Sequence, residues 1–160
     1  MKQGLFMNQK GVTLIELLTV MVIIAIGAAL TTPNMGGWLT SLRLRSATRE
    51  VVSMMRVAQI KAVSSNILYR VTFDTANNKY FLENSQDSGI TWTREGEDQT
   101  LPTGVNFNTT FGNTATFSPN STASDAGGNV ILNGNITLNN PKGSTKGVRL
   151  SGLTGRIKIE

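Results

Sequence analysis

The 160 residues include no His and no Cys, which removes imidazole bases, thiolate nucleophiles, disulfides and the commonest zinc ligands together. The length suits one apolar segment plus one domain of ordinary size. The net charge of +5 is unevenly spread: residues 1–11 carry +2, 12–65 carry +3, 66–140 carry −4 and 141–160 carry +4, so a basic C-terminal end suited to an anionic contact follows a mildly acidic middle.

The first element is "KGVTLIELLTVMVIIAIGAALTTP", Lys10 to Pro33. From Val12 to Leu30 it is apolar except for Thr13, Glu16, Thr19 and small Gly and Ala positions, close to the ~20 residues a helix needs to cross hydrocarbon. Lys2 and Lys10 precede this run and no basic residue follows before Arg43, so the positive-inside bias places the N-terminus in the cytoplasm and the remainder outside. A secretory signal peptide is the rival reading, but "AIGAALTTP" makes a poor small-residue cleavage site. An ionised Glu16 at membrane depth costs about 2.5–3.5 kcal/mol and therefore needs a partner or a role. Pro33 removes a helix hydrogen bond and is expected to kink the helix, the alternative being that it ends it.

Beyond Pro33, apolar residues at Trp38, Leu39, Leu42, Ala47, Val51, Met54, Met55, Ala58 and Ala62 predict an amphipathic helix continuing to about Ser64. A single helix from Val12 to Ser64 would extend about 80 Å. Arg43, Arg45, Arg49, Arg56 and Lys61 lie on its second half, as a solvated or subunit-facing side.

After Asn66 the pattern alternates. "ILYRVTFD" and "KYFLE" around "TANN" predict a hairpin, followed by candidate strands "ITWTR", "VNFN", "TATFS", "NVIL", "NITL", "GVRLS" and "RIKIE". Asn133 and Gly134 predict a type I′ turn joining "NVIL" to "NITL", and "SPNSTASDAGGN" reads as a polar loop. The acids Asp74, Glu83, Asp87, Glu95, Glu97 and Asp98 read as hairpin and loop solubilisers. No catalytic constellation is present, and no metal or cofactor is expected. The pattern as a whole predicts an α+β protein.

The residues around the isolated acid resemble the type III signal of type IV pilins and pseudopilins. Gly11, Val12, Thr13, Leu14, Ile15 and Glu16 match its Gly, apolar, Thr/Ser, two apolar, Glu pattern ahead of a long apolar run. The resemblance implies that prepilin peptidase cuts between Gly11 and Val12, that the new N-terminus at Val12 is methylated, and that Glu16 pairs with such an amine and sets the register between subunits. Met7 offers an alternative start that leaves this cleavage unchanged.

Blocks around "RVAQIKAVSSNILYRVTFD", "TFSPNSTASDAGGNVIL" and "LTGRIKIE" extend the likeness to FimT-type minor pilins and the H-type pseudopilins of type II secretion. That branch implies a long N-terminal helix, membrane-spanning in its first half, packed on a C-terminal antiparallel β domain of two sheets. The expected divisions are a leader at 1–11, a transmembrane and filament-core segment at 12–33, its amphipathic continuation at 34–65 and the β domain at 66–160. Asn120 and Ser121 depart from the family, which often places a Gly there, so a different loop path is expected. The implied partners are the peptidase, the inner membrane and other subunits of a type IV pilus or a secretion pseudopilus. The implied role is a low-abundance subunit at or near the tip, with its β domain in the periplasm and then on the filament.

Pairing "GVRLS" with "GRIKI" so that Ser151 faces Arg156 puts Leu150 opposite Ile157 and Val148 opposite Ile159 on one face, and Arg149 opposite Lys158 on the other. With Lys142 and Lys146 read as part of the preceding loop, this predicts one compact cationic surface of Lys142, Lys146, Arg149, Arg156 and Lys158. Some FimT-type pilins end in Gly-Arg-x-Arg and capture DNA with that end. Gly155, Arg156 and Lys158 resemble it, with Lys in place of the second Arg, which keeps the charge and loses the planar fork. DNA is therefore a second implied partner, held through phosphates without sequence preference.

Overall fold

The computed structural model describes residues 11–31 and 35–160. It divides into two compact units, residues 1–36 and 37–160. The long helix of the sequence reading is present as two elements, α1 (Leu14–Thr31) and α2 (Met35–Ser65); the expected kink at Pro33 lies outside the described residues. Among the described residues no helix is long and apolar enough to cross a membrane. The 18 residues of α1 rise about 27 Å, against a hydrocarbon core of about 30 Å.

Nine strands follow α2: β1 (Leu68–Asp74), β2 (Lys79–Ser85), β3 (Thr93–Thr100), β4 (Asn106–Thr109), β5 (Thr114–Phe117), β6 (Ala123–Ser124), β7 (Gly134–Asn139), β8 (Thr145–Ser151) and β9 (Arg156–Ile159). They form a five-stranded sheet in the order β3-β2-β1-β5-β6 and a four-stranded sheet in the order β4-β7-β8-β9. Every pairing is antiparallel. The expected α+β architecture, a helix on an antiparallel two-sheet domain, is what the structure shows.

The core follows from period-two burial. Tyr69, Val71 and Phe73 of β1 point inward, as do Ile136 and Leu138 of β7 and Val148 and Leu150 of β8. Phe73 meets Phe107 of the other sheet edge-on at 5.6 Å between ring centres, joining the sheets by aromatic contact. The buried side of α2, Leu44, Ala47, Val51, Met55, Ala58 and Ala62, belongs to the same core. At 100° per residue these six fall within about 60° of one direction.

That geometry corrects the predicted stripe. Trp38, Leu39 and Leu42 lie on the opposite side of α2, in phase with Val57, Ile60 and Val63, and all six are 38–66% exposed. The sequence reading merged two apolar faces of opposite phase into one.

Other expectations changed for local reasons. Asn133 and Gly134 do not form a type I′ turn, since neither has positive φ and Gly134 opens β7, paired with Leu150. A Cβ at Gly134 would come within 2.5 Å of Ile131 and 2.8 Å of Phe111, so close packing explains this glycine. The "NVIL" strand reduces to a bridge between Val130 and Ser124, and β6 emerges within the supposed polar loop. "EGED" lies within β3, where the β2 register shifts between Tyr80 and Leu82. Two of its three acids are partnered: Lys61 donates to Glu95 and holds that carboxyl below its ordinary range, while Arg94 pairs with Asp98 at 2.8 Å. Glu83 is no solubiliser either, being buried and bound by Arg70 at 2.7 Å and Thr72 at 2.8 Å. Ser121, where the family often has Gly, takes the left-handed conformation (φ 66°) that glycine adopts freely.

Candidate functional sites on the apolar helix and the basic hairpin

Gly11, Val12 and Thr13 precede the first helical turn and are exposed. Thr13 caps α1: its carbonyl accepts from the Leu17 amide at 3.2 Å and its Oγ1 from the Glu16 amide at 3.3 Å. Glu16 thus stands at the third helical position of a Thr-x-x-Glu sequence, where a carboxylate also complements the positive helix end. The sequence reading gave Glu16 one role and overlooked this second; the capping-box spacing is the signal that carries it. Eleven large apolar side chains from Val12 to Ile26 are each 49–82% exposed. Covering them would contribute on the order of 10–20 kcal/mol, a driving force toward lipid or neighbouring helices.

At the other end of the chain, β8 and β9 pair in the expected register: Val148 with Ile159, Arg149 with Lys158, Leu150 with Ile157 and Ser151 with Arg156. The hairpin tip is anchored on α2, where the Gln59 Nε2 donates to the Gly155 carbonyl at 3.0 Å. Gly155 has φ 61°, and a Cβ there would fall 2.2 Å from Gln59 Nε2 and 2.3 Å from the Ser121 carbonyl oxygen. It is required both by conformation and by space.

The five predicted cations do not form one surface. Arg149, Arg156 and Lys158 share a concavity of about 440 Å³ with Asn133, Ser151, Thr154 and Glu160. Glu160 offsets part of that charge through an ion pair with Arg149 at 3.5 Å, and Arg149 also donates to Asn133 at 3.0 Å. Lys146 belongs to β8, not to the preceding loop, and parity puts it on the inner face with Val148 and Leu150. It lines a separate groove with Arg45 and Arg49 of α2. The Lys142 ammonium lies beside Gly37, 2.9 Å from where a Cβ would be. Like charges at Arg149 and Lys158 stand directly across the strands, an arrangement that an anion stabilises. Among the described residues no group of three His, Cys, Asp or Glu side chains could hold a metal ion.

Residues 6–32 match the model of the prokaryotic N-terminal methylation motif. No curated protein matches the sequence significantly. The fold is similar to the crystal structure of the type IV minor pilin FimU of Pseudomonas aeruginosa strain PAO1, at 17% identity and a TM-score of 0.57, over 73% of this chain and 92% of that one. It is similar also to the minor pseudopilin EpsH from the type 2 secretion system of Vibrio cholerae, at 12% identity and a TM-score of 0.55, over 74% of this chain and 96% of that one. The chain thus carries a prokaryotic N-terminal methylation motif ahead of a domain whose fold is similar to those of a minor pilin and a minor pseudopilin.

Proposed function

We propose that the protein is a minor pilin or pseudopilin, a structural subunit that prepilin peptidase cuts between Gly11 and Val12 before it enters a type IV pilus or a type II secretion pseudopilus. The observation that carries this reading is α1 itself: a capped helix with one acid in its first turn and every large apolar side chain to Ile26 exposed. Such a surface needs cover, first from the inner membrane that anchors the apolar segment and then from the helices of neighbouring subunits. The second apolar face of α2, from Trp38 to Val63, supports the same end, because the protein's own sheets leave it open. The fold similarity is to minor subunits, which supports a place at or near the filament tip.

The processing step is tested by mass spectrometry of the chain extracted from membranes. The expected mature N-terminus is a methylated Val12, and Gly11→Ala is expected to leave the chain uncut. A wild-type chain that retains its first residues, or is cut after Ala29, overturns the reading.

A second reading rests on the outer face of the β8–β9 hairpin, where exposed Arg156 and Lys158 stand beside Arg149. We propose weak capture of duplex DNA there, with Kd in the range of about 10⁻⁴ to 10⁻⁶ M at physiological salt. Two to three cations give an expected log–log salt slope of about −2 to −3. In an anisotropy titration, Arg156→Gln with Lys158→Gln should remove most of the binding, whereas Lys146→Gln on the other face should leave it. Equal loss from both, or no binding at low salt, refutes the DNA role and leaves the structural subunit standing.

A further inference from the structure

We propose that the groove between α2 and the edge of β8 and β9 is a phosphate-binding site, taking a phosphate group presented by an anionic lipid headgroup or by a free phosphate compound. The groove holds about 290 Å³ and is lined by Arg45, Thr48, Arg49, Lys146 and Ile159. Three of its five lining residues are cations and none is an acid. Among the described residues none of the three takes part in an ion pair, whereas Lys61, Arg70, Arg94 and Arg149 each have a carboxylate partner.

The arrangement is unfavourable without an anion. Arg45 and Arg49 are one helical turn apart, a spacing at which like charges repel, and Lys146 is brought to the same groove from β8. Thr48 does not compensate, because it is buried and its hydroxyl donates to the Leu44 carbonyl at 2.7 Å. Two guanidinium forks suit the oxygens of a tetrahedral phosphate, the ammonium adds a third donor, and a concave wall concentrates the field between them. The outer hairpin face differs by containing Glu160, which already neutralises part of its charge.

The test uses the full chain in a nonionic detergent, melted with inorganic phosphate and with sodium chloride at matched ionic strength. Phosphate should raise Tm saturably by a few degrees beyond the chloride response. Arg45→Gln with Lys146→Gln should lose that increment while melting in chloride at or above the wild type, since the repulsion is relieved. Arg156→Gln with Lys158→Gln should retain the increment. Identical responses to phosphate and chloride, or loss of the increment in both double variants, overturn the site. Melts in phosphatidylcholine nanodiscs with and without phosphatidylglycerol separate the sources. An increment from phosphatidylglycerol that Arg45→Gln with Lys146→Gln abolishes assigns a lipid headgroup, and an increment from free phosphate alone assigns a soluble compound. A response to duplex DNA with none to phosphate or phosphatidylglycerol refutes the phosphate site in favour of a nucleic-acid surface.

Discussion

Gly152→Ala is expected to cost about 3–5 kcal/mol of stability, a large fraction of the 5–15 kcal/mol typical of a folded domain. A Cβ at this position would lie 2.2 Å from the Ala123 carbonyl oxygen, 2.7 Å from that of Ile131 and 2.9 Å from the Ile131 nitrogen. All three are backbone atoms, so no rotamer change relieves the overlap. The same atoms close a ring of hydrogen bonds: Ala123 N–H to Gly152 O at 2.8 Å, Gly152 N–H to Ile131 O at 2.6 Å, and Ile131 N–H to Ala123 O at 3.0 Å. Making room for one methyl group means spreading three chain segments and stranding buried donors. Gly147→Ala, in the same hairpin, is the control. Its nearest neighbours are Asn135 Oδ1 at 3.4 Å and Glu160 Cβ at 3.7 Å, and its φ is not positive, so stability should change by less than about 1 kcal/mol. Denaturant unfolding of the two variants, followed by circular dichroism, checks both values.

The β8–β9 register is legible because Val148, Leu150, Ile157 and Ile159 alternate with polar residues, and a slip of β9 by one residue would turn Ile157 and Ile159 away from the face that Val148 and Leu150 share. The β1–β2 hairpin was legible for the same reason, with "TANN" as its turn. Gly134 was not, since a glycine chosen for close approach to Phe111 and Ile131 has the same letter as one chosen for a turn. Gly152 reads as a turn glycine in "GLTG", although its constraint comes from Ala123 and Ile131, far away in sequence. Lys146 was misplaced by treating it as loop; counting parity back from Val148 assigns it to the inner face. On α2 the apolar positions are periodic, but their phase reverses between Leu42 and Leu44, and only angular bookkeeping separates the face that meets the sheets from the face that meets solvent. The motif at Gly11 to Glu16 needed no tertiary information, because its spacing is local.

The other large effect is expected at Glu16. Replacing it by Ala removes a first-turn carboxylate, worth at most about 1 kcal/mol to a helix end, so α1 should persist. Membrane insertion should not suffer, because removing an ionised acid from the end of the apolar segment removes an unfavourable transfer of at most about 2.5–3.5 kcal/mol. We propose that in a filament Glu16 pairs with the methylated amine of Val12; deleting one partner of a buried ion pair costs about 3–5 kcal/mol by leaving the other charge alone. That corresponds to a loss of assembly on the order of a hundredfold or more. Glu16→Gln separates charge from capping, because a glutamine also serves at the third position of a capping box; it should lose incorporation as fully as Glu16→Ala. The decisive quantity is the ratio of each variant in sheared filaments to that in membranes, read by immunoblot beside the wild type. Membrane levels at or above wild type and a filament fraction lowered about a hundredfold are expected for both variants, whereas a wild-type ratio for either would contradict the pairing of Glu16 with the amine.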